Sequence, residues 1–435
     1  MIEIIKAIIL DFQETRLDTG VPRHLRIEIV PAKATVCIGV RRCGKSTYLS
    51  QIVQRLLDDG VPRENILFIN FFDDRLHNLR QGGLSQLTEA YYSLYPEKKN
   101  TETVYCFFDE IQEVEDWEPF VDRLMRTELC KVYITGSSAK MLSTEIATQM
   151  RGRALSWELF PFSFGEYLDY QEVECKGPLS TRKRLLVQQA FDQYWQTGGF
   201  PEVAGLDRHP RVKIHQEYFR AVLFRDLIER HDISHPRALT DLAYQLVDNI
   251  SSLYSVNRLT GHLKSLGHKA PKSAVSNYLE WFEDAYFLFT VRIFDASQAR
   301  SKTNPKKIYC IDHALVTSVS PGILVNSGHL LENLVFAAIR RITGEIYYYK
   351  TRSGLEVDFV ARINNGNWEL VQVCQSLVEP LTRKREVEAL GEAMTEMGLS
   401  TGTIVTRSEA EEILVDAGKI QVIGAWRFLL NLPEK

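Results

Sequence analysis

The sequence TVCIGVRRCGKST, residues 35–47, decides the fold class of this protein. It matches the pattern G-x-x-x-x-G-K-[ST], whose two glycines let the backbone curl around anionic oxygens. An apolar stretch precedes the loop and a helical stretch follows it, which is the context that the pattern requires. The exposed N–H groups and the helix N-terminus then favour phosphate. We therefore predict a phosphate loop made of Gly39, Val40, Arg41, Arg42, Cys43, Gly44, Lys45, Ser46 and Thr47.

Two positions of this loop and two acids downstream predict a nucleotide and a metal ion. Lys45 is expected to contact the β- and γ-phosphates, and the Ser46 hydroxyl to ligate Mg²⁺. The apolar stretch 104–108 ends in Asp109 and Glu110, at the strand end where open α/β sheets bind ligands. Asp109 suits Mg²⁺ through a water molecule, and Glu110 suits the general base that polarises the attacking water. The expected cofactors are ATP and Mg²⁺.

Alternating strand and helix patterns around the loop predict an α/β domain. Residues 1–30 predict a helix and then a short strand at residues 25–30. Stretches rich in Val, Ile, Phe and Tyr predict strands that are buried on both faces of a parallel sheet. These stretches are residues 34–38, 66–71, 104–108, 132–135 and 154–159. The predicted fold class is therefore α/β, with a P-loop NTPase core built on a parallel sheet.

Four more side chains are candidates for the chemistry of hydrolysis. Ser137, after the fourth strand, is expected to reach the γ-phosphate or the attacking water, and the alternative is a helix cap. Arg151 and Arg153 are candidates to stabilise the transition state within one subunit or across an interface, and the alternative is a solvated pair. Arg225, in Phe-Arg-Asp at residues 224–226, is a candidate sensor of the γ-phosphate.

The loop, the Asp109-Glu110 pair and the segment 135–138 resemble an AAA-type P-loop ATPase. Further segments narrow the resemblance: Arg-Gly-Arg at 151–153, Leu-Phe-Pro-Phe-Ser-Phe at 159–164, Gly-Gly-Phe-Pro at 198–201 and Phe-Arg-Asp at 224–226. Together they are similar to a prokaryotic ATPase family in which an AAA domain is joined to a C-terminal domain of unknown function. That C-terminal part resembles the PD-(D/E)XK nuclease fold. The resemblance implies ATP binding and hydrolysis, without a settled cellular role.

The middle of the chain predicts a winged helix-turn-helix. Helical patterns at 239–253, 256–266 and 272–285 are followed by a strand-like stretch at 286–294, which is the order of that motif. Residues 208–307 carry 16 Lys and Arg against 10 Asp and Glu, a net charge of +6, whereas the rest of the chain carries -10. The basic candidates for phosphate contacts are Lys264, Lys269, Lys272, Arg300 and Lys302, with Lys306 and Lys307 in or beside the predicted wing. Nucleic acid, favoured as DNA, is the expected partner, and the alternative is a winged helix that packs or binds a protein.

The C-terminal residues predict a nuclease-like domain that lacks two of the side chains needed for catalysis. A PD-(D/E)XK site needs an acid on its first helix, an Asp on a strand and a nearby acid-x-Lys pair, because the acids hold Mg²⁺ and the lysine orients water. Glu332 and Asp358 supply the first two groups, but Gln372 and Cys374 stand where the last pair should be. We expect an inactive domain that binds nucleic acid or protein, unless Lys350 or another lysine enters the site.

Composition and length bound the remaining possibilities. The 435 residues are 45% hydrophobic and 25% charged, which excludes a disordered or fibrous chain. The seven cysteines include no CxxC pair, and no apolar run approaches the roughly 18 residues of a membrane span, so we expect a cytoplasmic protein with reduced thiols. The predicted domains are an ATPase core at 1–163, a helical segment at 164–236, a winged helix at 237–307 and a nuclease-like domain at 308–435.

These patterns lead to two hypotheses about function. The first is an ATP-driven switch or motor in which hydrolysis changes how the winged-helix and nuclease-like parts engage nucleic acid. The second is a signalling or scaffold protein whose nucleotide state controls protein partners without DNA. A homo-oligomer is a further hypothesis, because AAA-type cores often work as rings.

Overall fold

The chain divides into an N-terminal unit, Met1–Phe160, and a C-terminal unit, Pro161–Lys435. Each unit is described by itself. The computed structural model describes residues 1–81, 83–137, 150, 152–175, 177–295, 297, 301, 304–320, 326–364 and 366–433. Within these residues no helix combines the length and the apolar character that crossing a bilayer requires.

The N-terminal unit contains a five-stranded parallel sheet in the order β2-β3-β4-β1-β5. Its strands are β1 Ala34–Gly39, β2 Ile66–Asn70, β3 Val104–Asp109, β4 Cys130–Ser137 and β5 Ala154–Glu158. All six residues of β1 are buried, as expected for a strand covered on both faces of a parallel sheet. The prediction of an α/β P-loop core with a parallel sheet is confirmed.

Amphipathic helices complete the N-terminal unit. They are α1 Ile2–Glu14, α2 Lys45–Asp58, α3 Ser85–Leu94 and α4 Trp117–Thr127. In α4 the buried residues Trp117, Phe120, Val121 and Leu124 recur at the spacing of one helical face. That face is the part of α4 that contributes to the core.

The strand predicted at residues 25–30 is wrong. The residues alternate in polarity, but within the described residues they pair with no strand. The Tyr48 hydroxyl of α2 donates to the Leu25 carbonyl over 2.7 Å, and the Gln51 amide donates to the carbonyls of Thr19 and Val21. Side chains of α2 therefore hold the segment that leads into the sheet.

The C-terminal unit begins with helices and continues into a mixed sheet. The helices are α5 Phe164–Tyr170, α6 Thr181–Thr197 and α7 Arg208–Ala221, and α7 continues into a π-helix at Val222–Glu229. Next come α8 Pro236–Asp248, β6 Leu253–Tyr254, α9 Val256–Ser265, α10 Lys272–Asp284, β7 Leu288–Ile293 and β8 Lys306–Cys310. Strand β8 pairs antiparallel with both β6 and β7.

The rest of the chain extends this sheet to nine strands in the order β13-β14-β12-β11-β10-β9-β7-β8-β6. The strands are β9 Ile346–Lys350, β10 Glu356–Arg362, β11 Trp368–Val373, β12 Thr401–Thr406, β13 Glu411–Val415 and β14 Gly418–Gly424. The helices are α11 His313–Val319, α12 Ser327–Ile342, α13 Pro380–Met397 and α14 Ala425–Asn431. Because β7 pairs parallel with β9, one sheet includes strands from both sides of the domain boundary predicted at residue 307. The proposed domain boundaries stay predictions.

The Gly-Gly pair after α6 has a structural role. Gly198 has a φ of 74°, and a Cβ there would collide with the Asp312 carboxylate. The N–H of Gly199 donates to Asp312 Oδ2 over 2.7 Å, while Oδ1 accepts from the N–H groups of Ala314 and Leu315. One buried carboxylate therefore caps α11 and fixes the turn after α6.

We expect Gly198→Ala to destabilise the C-terminal unit by about 2 kcal/mol or more, because the backbone conformation is one that only glycine adopts readily. The measurement is urea-induced unfolding of the full chain. The matched control is Gly261→Ala in α9, where an added Cβ meets no atom within 4 Å and should stabilise by roughly 0.5–1 kcal/mol. Equal effects of the two substitutions would contradict this account.

Candidate functional site

The phosphate loop connects a buried strand to a helix, as the sequence predicts. β1 ends at Gly39 and α2 begins at Lys45, with Gly44 between them at a φ of 98°. A Cβ at Gly39 would collide with the carbonyl of Leu159, which follows β5. Both glycines are therefore required by the path of the backbone. The loop lies at the carboxyl edge of the sheet, where its N–H groups can face an anion.

Lys45 is buried against its own loop. Its ammonium donates to the carbonyls of Gly39 and Val40 over 3.1 and 3.2 Å, and the residue is only 5% exposed. Burial lowers the pKa of Lys45, but surrounding negative charge, including Glu110 and Asp109, outweighs burial and raises it. The side chain is therefore a fixed positive charge inside the loop.

The carboxylate of Asp109, at the end of β3, is the most constrained acid of the N-terminal unit. It is fully buried. Thr135 donates its hydroxyl to Oδ1, and the Asn70 amide donates to Oδ2 over 3.1 Å. Burial raises the pKa of Asp109, whereas hydrogen bonds from Thr135 and Ser46 oppose that rise. Polar groups from two neighbouring strands and from α2 thus converge on this acid.

Glu110 follows immediately in a left-handed backbone conformation with a φ of 55°. Its N–H donates to the Thr135 hydroxyl over 3.0 Å, and its Oε2 accepts from the Gln112 amide over 2.5 Å. Thr135 therefore fixes the orientation of both acids. A non-glycine residue in this conformation stores strain of a kind that is common at functional sites.

Three side chains near this site were not predicted. Asn70 ends β2 and Gln112 follows the two acids. Arg23 donates to the carbonyls of Cys43 and Phe160 over 2.8 and 2.6 Å, and so ties the loop to the end of the sheet. Asn70 could have been found, because it is a polar residue near the end of the predicted strand 66–71, and that strand lies next to the one that ends in Asp109. Nothing in the sequence near Arg23 signals its contact with a loop 20 residues away.

The other predicted catalytic residues lie at different places in the described residues. Arg153 forms an ion pair with Asp122 over 2.7 Å and precedes β5, whose first residue aligns with the first residue of β1. It therefore lies at the opposite edge of the sheet from the loop. Ser137 is the last residue of β4 and pairs with Gly39, the first residue of the phosphate loop. Arg225 lies exposed on the π-helix of the C-terminal unit. Arg151 lies outside the described residues.

Three of the five residues predicted to contact nucleic acid lie within the described residues. Lys264 lies in the last turn of α9, Lys269 in the following turn, and Lys272 is the first residue of α10. All three are exposed. Arg300 and Lys302 lie outside the described residues.

Lys307 is not part of a wing surface. It lies in β8, is 3% exposed, and its ammonium contacts Glu332 over 2.9 Å, Glu356 over 2.9 Å and Asp358 over 2.8 Å. These four residues, which we call the acidic cluster, line a cavity of about 700 Å³. A lysine does join the two predicted acids Glu332 and Asp358, but it is Lys307. Lys350 is exposed and only approaches the outer oxygen of Glu356, at 3.9 Å.

Gln372 and Cys374 line the same cavity as the cluster. The Gln372 carbonyl accepts the N–H of Asp358 over 3.1 Å, and its amide donates to Glu386 over 2.5 Å. Burial raises the pKa of the Cys374 thiol to about 12, so the thiol is neutral. Neither residue supplies a charge to the cluster.

The negative charges in the cluster favour the protonated, charged form of Lys307. Burial alone would lower the pKa of Lys307, but Asp358 and Glu332 outweigh burial and raise it well above its usual value. Burial also raises the pKa of Glu332, an effect that the charge of Asp358 reinforces. The Tyr309 hydroxyl donates to Glu332 over 2.6 Å.

The fold, the loop and comparisons with known families define an AAA-type P-loop ATPase domain in the N-terminal part of the chain. Residues 31–168 match the family described as AAA domain. Two families described only as domains of unknown function, DUF8612 and DUF4143, match residues 188–323 and 327–425. The predicted combination of an AAA domain with a C-terminal domain of unknown function is confirmed at this level.

The chain belongs to the same family as the uncharacterized protein MJ1544 of Methanocaldococcus jannaschii. The two are 34% identical over 419 residues, which cover 94% of this chain and 91% of the relative. An uncharacterized protein of Haemophilus influenzae is 29% identical over 330 residues, 75% of this chain and 79% of that protein.

Among solved structures, the chain is similar to the Walker-type ATPase PABY2304 of Pyrococcus abyssi, with a TM-score of 0.42 and 15% identity over 66% of this chain and 90% of that one. The Orc1 protein of Aeropyrum pernix, solved in complex with DNA, has a TM-score of 0.30 and 13% identity over 73% and 92% of the two chains. Likenesses this distant carry no argument about function.

The pairing of Thr135 with Asp109 predicts a pH-dependent effect on stability. Because the folded pKa of Asp109 is raised, the folded state holds its proton more tightly, and stability falls as pH rises from the unfolded pKa to the folded one. Thr135→Val removes the donated hydrogen bond, so it should raise the folded pKa further and widen this range. We expect the free energy of unfolding to fall by about 1–3 kcal/mol at neutral pH.

The measurement is urea-induced unfolding between acid and neutral pH. Thr135→Ser is the matched control, because it keeps the hydroxyl and should keep most of the stability. If the valine and serine variants have the same pH profile, the hydroxyl does not stabilise the charged form of Asp109.

Proposed function

We propose that the N-terminal unit binds and hydrolyses ATP, and that its nucleotide state controls the C-terminal unit as a switch or motor. The observation that carries the proposal is the Asp109 carboxylate, buried between the Ser46 hydroxyl of the phosphate loop and the Thr135 hydroxyl of the neighbouring strand. A buried acid at that place fits a cation bound to phosphate better than it fits a structural role, because burial of an acid is otherwise unfavourable.

Each residue then has a defined task. The loop N–H groups and Lys45 bind the β- and γ-phosphates. Ser46 and Asp109 would hold Mg²⁺, whose charge would offset the charge that develops on the phosphates. Glu110 accepts a proton from water as the water oxygen bonds to the γ-phosphorus and the bond to the bridging oxygen breaks, which yields ADP and phosphate. Gln112 keeps the Glu110 carboxylate oriented until nucleotide binds.

Lys45→Ala should abolish nucleotide binding, and Glu110→Gln should bind ATP while its turnover falls by about 10²–10⁴-fold, because only the proton acceptor is lost. Binding is measured with a fluorescent ATP analogue, and turnover as phosphate release. Glu115→Gln makes the same chemical change at an exposed acid of the same segment and should leave both unchanged. Undiminished hydrolysis in both site variants would show that the reaction takes place elsewhere.

We propose that the winged-helix part of the C-terminal unit is the nucleic-acid surface, with DNA as the favoured ligand. Two observations support this. The elements α8, β6, α9, α10, β7 and β8 follow the helix-strand-helix-helix-strand-strand order of a winged helix, with β8 paired to both other strands. The exposed side chains of Lys264, Lys269 and Lys272 flank the turn into α10, where a winged helix contacts phosphate.

The double variant Lys269→Ala and Lys272→Ala should weaken DNA binding and reduce the slope of log K against log salt by about two, since each phosphate contact contributes nearly one. Fluorescence anisotropy over a salt series measures this. Arg182→Ala with Lys384→Ala removes two exposed cations elsewhere in the C-terminal unit and is the charge-matched control.

Equal losses in the two double variants would mean non-specific attraction. No DNA binding, together with ATP-dependent self-association, would instead favour a nucleotide-controlled scaffold that acts on protein partners. A homo-oligomer in which Arg151 or Arg153 of one copy reaches the nucleotide of the next is part of the same proposal. For the nuclease-like part, the proposal is a degenerate site that binds without cutting.

A further inference from the structure

We propose that the ammonium of Lys307 takes the place of a divalent cation in the acidic cluster, so that the C-terminal unit keeps a nuclease-like set of carboxylates together without a metal. This inference goes beyond the proposed ATPase and nucleic-acid functions and does not depend on either. It concerns a cavity whose chemistry neither of those functions uses.

The geometry of the ammonium matches the three acids. A lysine ammonium has three N–H donors and no acceptor. Three carboxylate oxygens surround it, one each from Glu332, Glu356 and Asp358, at 2.8–2.9 Å. Every donor therefore has its own carboxyl oxygen as acceptor, and hydrogen bonds donated by a charged group are the strong ones.

The position of Lys307 is fixed by the sheet. In β8 it pairs with Leu253 of β6 on one side and with Val291 of β7 on the other. Its strand is therefore held from both sides, and only 3% of the residue's surface is exposed. The ammonium is a permanent part of the site and not a mobile surface charge that happens to lie near it.

The residues present do not fit the Mg²⁺ that a nuclease-like fold implies. Magnesium requires oxygens at about 2.0–2.1 Å in an octahedron, and the acids are instead gathered around a nitrogen. Gln372 does not complete a set of metal ligands, because its carbonyl accepts a hydrogen bond from the N–H of Asp358 and its amide donates one to Glu386. The second oxygen of Asp358 accepts the N–H of Val373 over 2.9 Å. Among the described residues no three or more His, Cys, Asp or Glu side chains are arranged to hold a metal ion.

The ammonium and a metal ion would exclude each other. Both would occupy the space between the same three carboxylates, and a buried pair of positive charges at such a distance repels strongly. Removing the ammonium leaves two buried acids, Glu332 and Asp358, next to the half-buried Glu356, which is destabilising. A divalent cation that enters from the cavity would then relieve this repulsion. The cluster of a Lys307 variant should therefore become a cation site.

The experiment compares nucleotide-free full-length wild type with Lys307→Ala, using Mn²⁺ as the probe. Bound Mn²⁺ is counted from the loss of the free-ion electron paramagnetic resonance signal, and thermal unfolding is followed in EDTA and in Mn²⁺. We expect Lys307→Ala to bind one more Mn²⁺ per chain than wild type. The affinity of this additional site should be at least tenfold higher than that of any Mn²⁺ site in the C-terminal unit of wild type. Its Tm should be lowered in EDTA and recovered by several degrees in Mn²⁺.

Two controls identify the site. Lys306→Ala changes the neighbouring lysine of the same strand and should behave as wild type. Lys307→Ala combined with Asp358→Asn removes one ligand as well and should lose the additional Mn²⁺. If Lys307→Ala does not fold in EDTA, refolding in Mn²⁺ replaces the thermal measurement, and recovery of folded protein is expected only with the ion.

Three results would overturn the proposal. The first is a wild-type protein that binds Mn²⁺ at this cluster, shown by loss of that binding in Asp358→Asn. The second is a folded Lys307→Ala that binds no more Mn²⁺ than wild type. The third is a Lys307→Ala that fails to fold in both EDTA and Mn²⁺.

Discussion

The hydrogen bonds to the buried Asp109 carboxylate are the interaction on which the nucleotide site depends. A carboxylate removed from water is costly unless donors replace the lost hydration. The donors here come from the end of β2, the end of β4 and the start of α2. Satisfying this one acid therefore fixes how two neighbouring strands and the helix after the phosphate loop meet.

The position of Glu110 follows from the same arrangement. Thr135 donates to Asp109 and accepts from the N–H of Glu110, so the hydroxyl that stabilises one acid also orients the next. A threonine near the end of β4 thus links the two adjacent acids Asp109 and Glu110. The strained backbone of Glu110 is tolerated because this contact is buried and fixed by the sheet.

The acidic cluster of the C-terminal unit also contains buried carboxylates, but different groups offset the cost of burying them. Asp358 is also a buried acid at the edge of a site, but it is stabilised by a buried ammonium as well as by the backbone N–H of Val373. A buried ion pair is favourable only when geometry and hydrogen bonds offset desolvation, and here each N–H of Lys307 has one acceptor. The two sites therefore differ, because the carboxylates of this cluster already surround a cation that belongs to the chain itself.

Sequence reasoning succeeded where the signal is local. The strand, loop and helix around Lys45 are contiguous, and strands covered on both faces, such as β1 and β3, are almost continuously apolar. The edge strand β5 was predicted as well, but it is only half-buried. Sequence reasoning failed where contacts are distant. The contacts of Lys307 reach acids 25 to 51 residues away, and its position in the sequence suggested a wing. The segment 25–30 has the alternation of a strand, but a strand requires a partner that the sequence does not reveal.

The charge of the middle of the chain has a different meaning once burial is considered. The window 208–307 carries a net charge of +6 by count, but Lys307 is neutralised by acids that all lie beyond residue 307. Without Lys307, 15 basic residues stand against 10 acidic ones, a net of +5. A polyanion responds to exposed charge, because buried charge is balanced by its partners. The argument for a nucleic-acid surface therefore depends on the three exposed lysines around the turn into α10, and not on the total charge of the window.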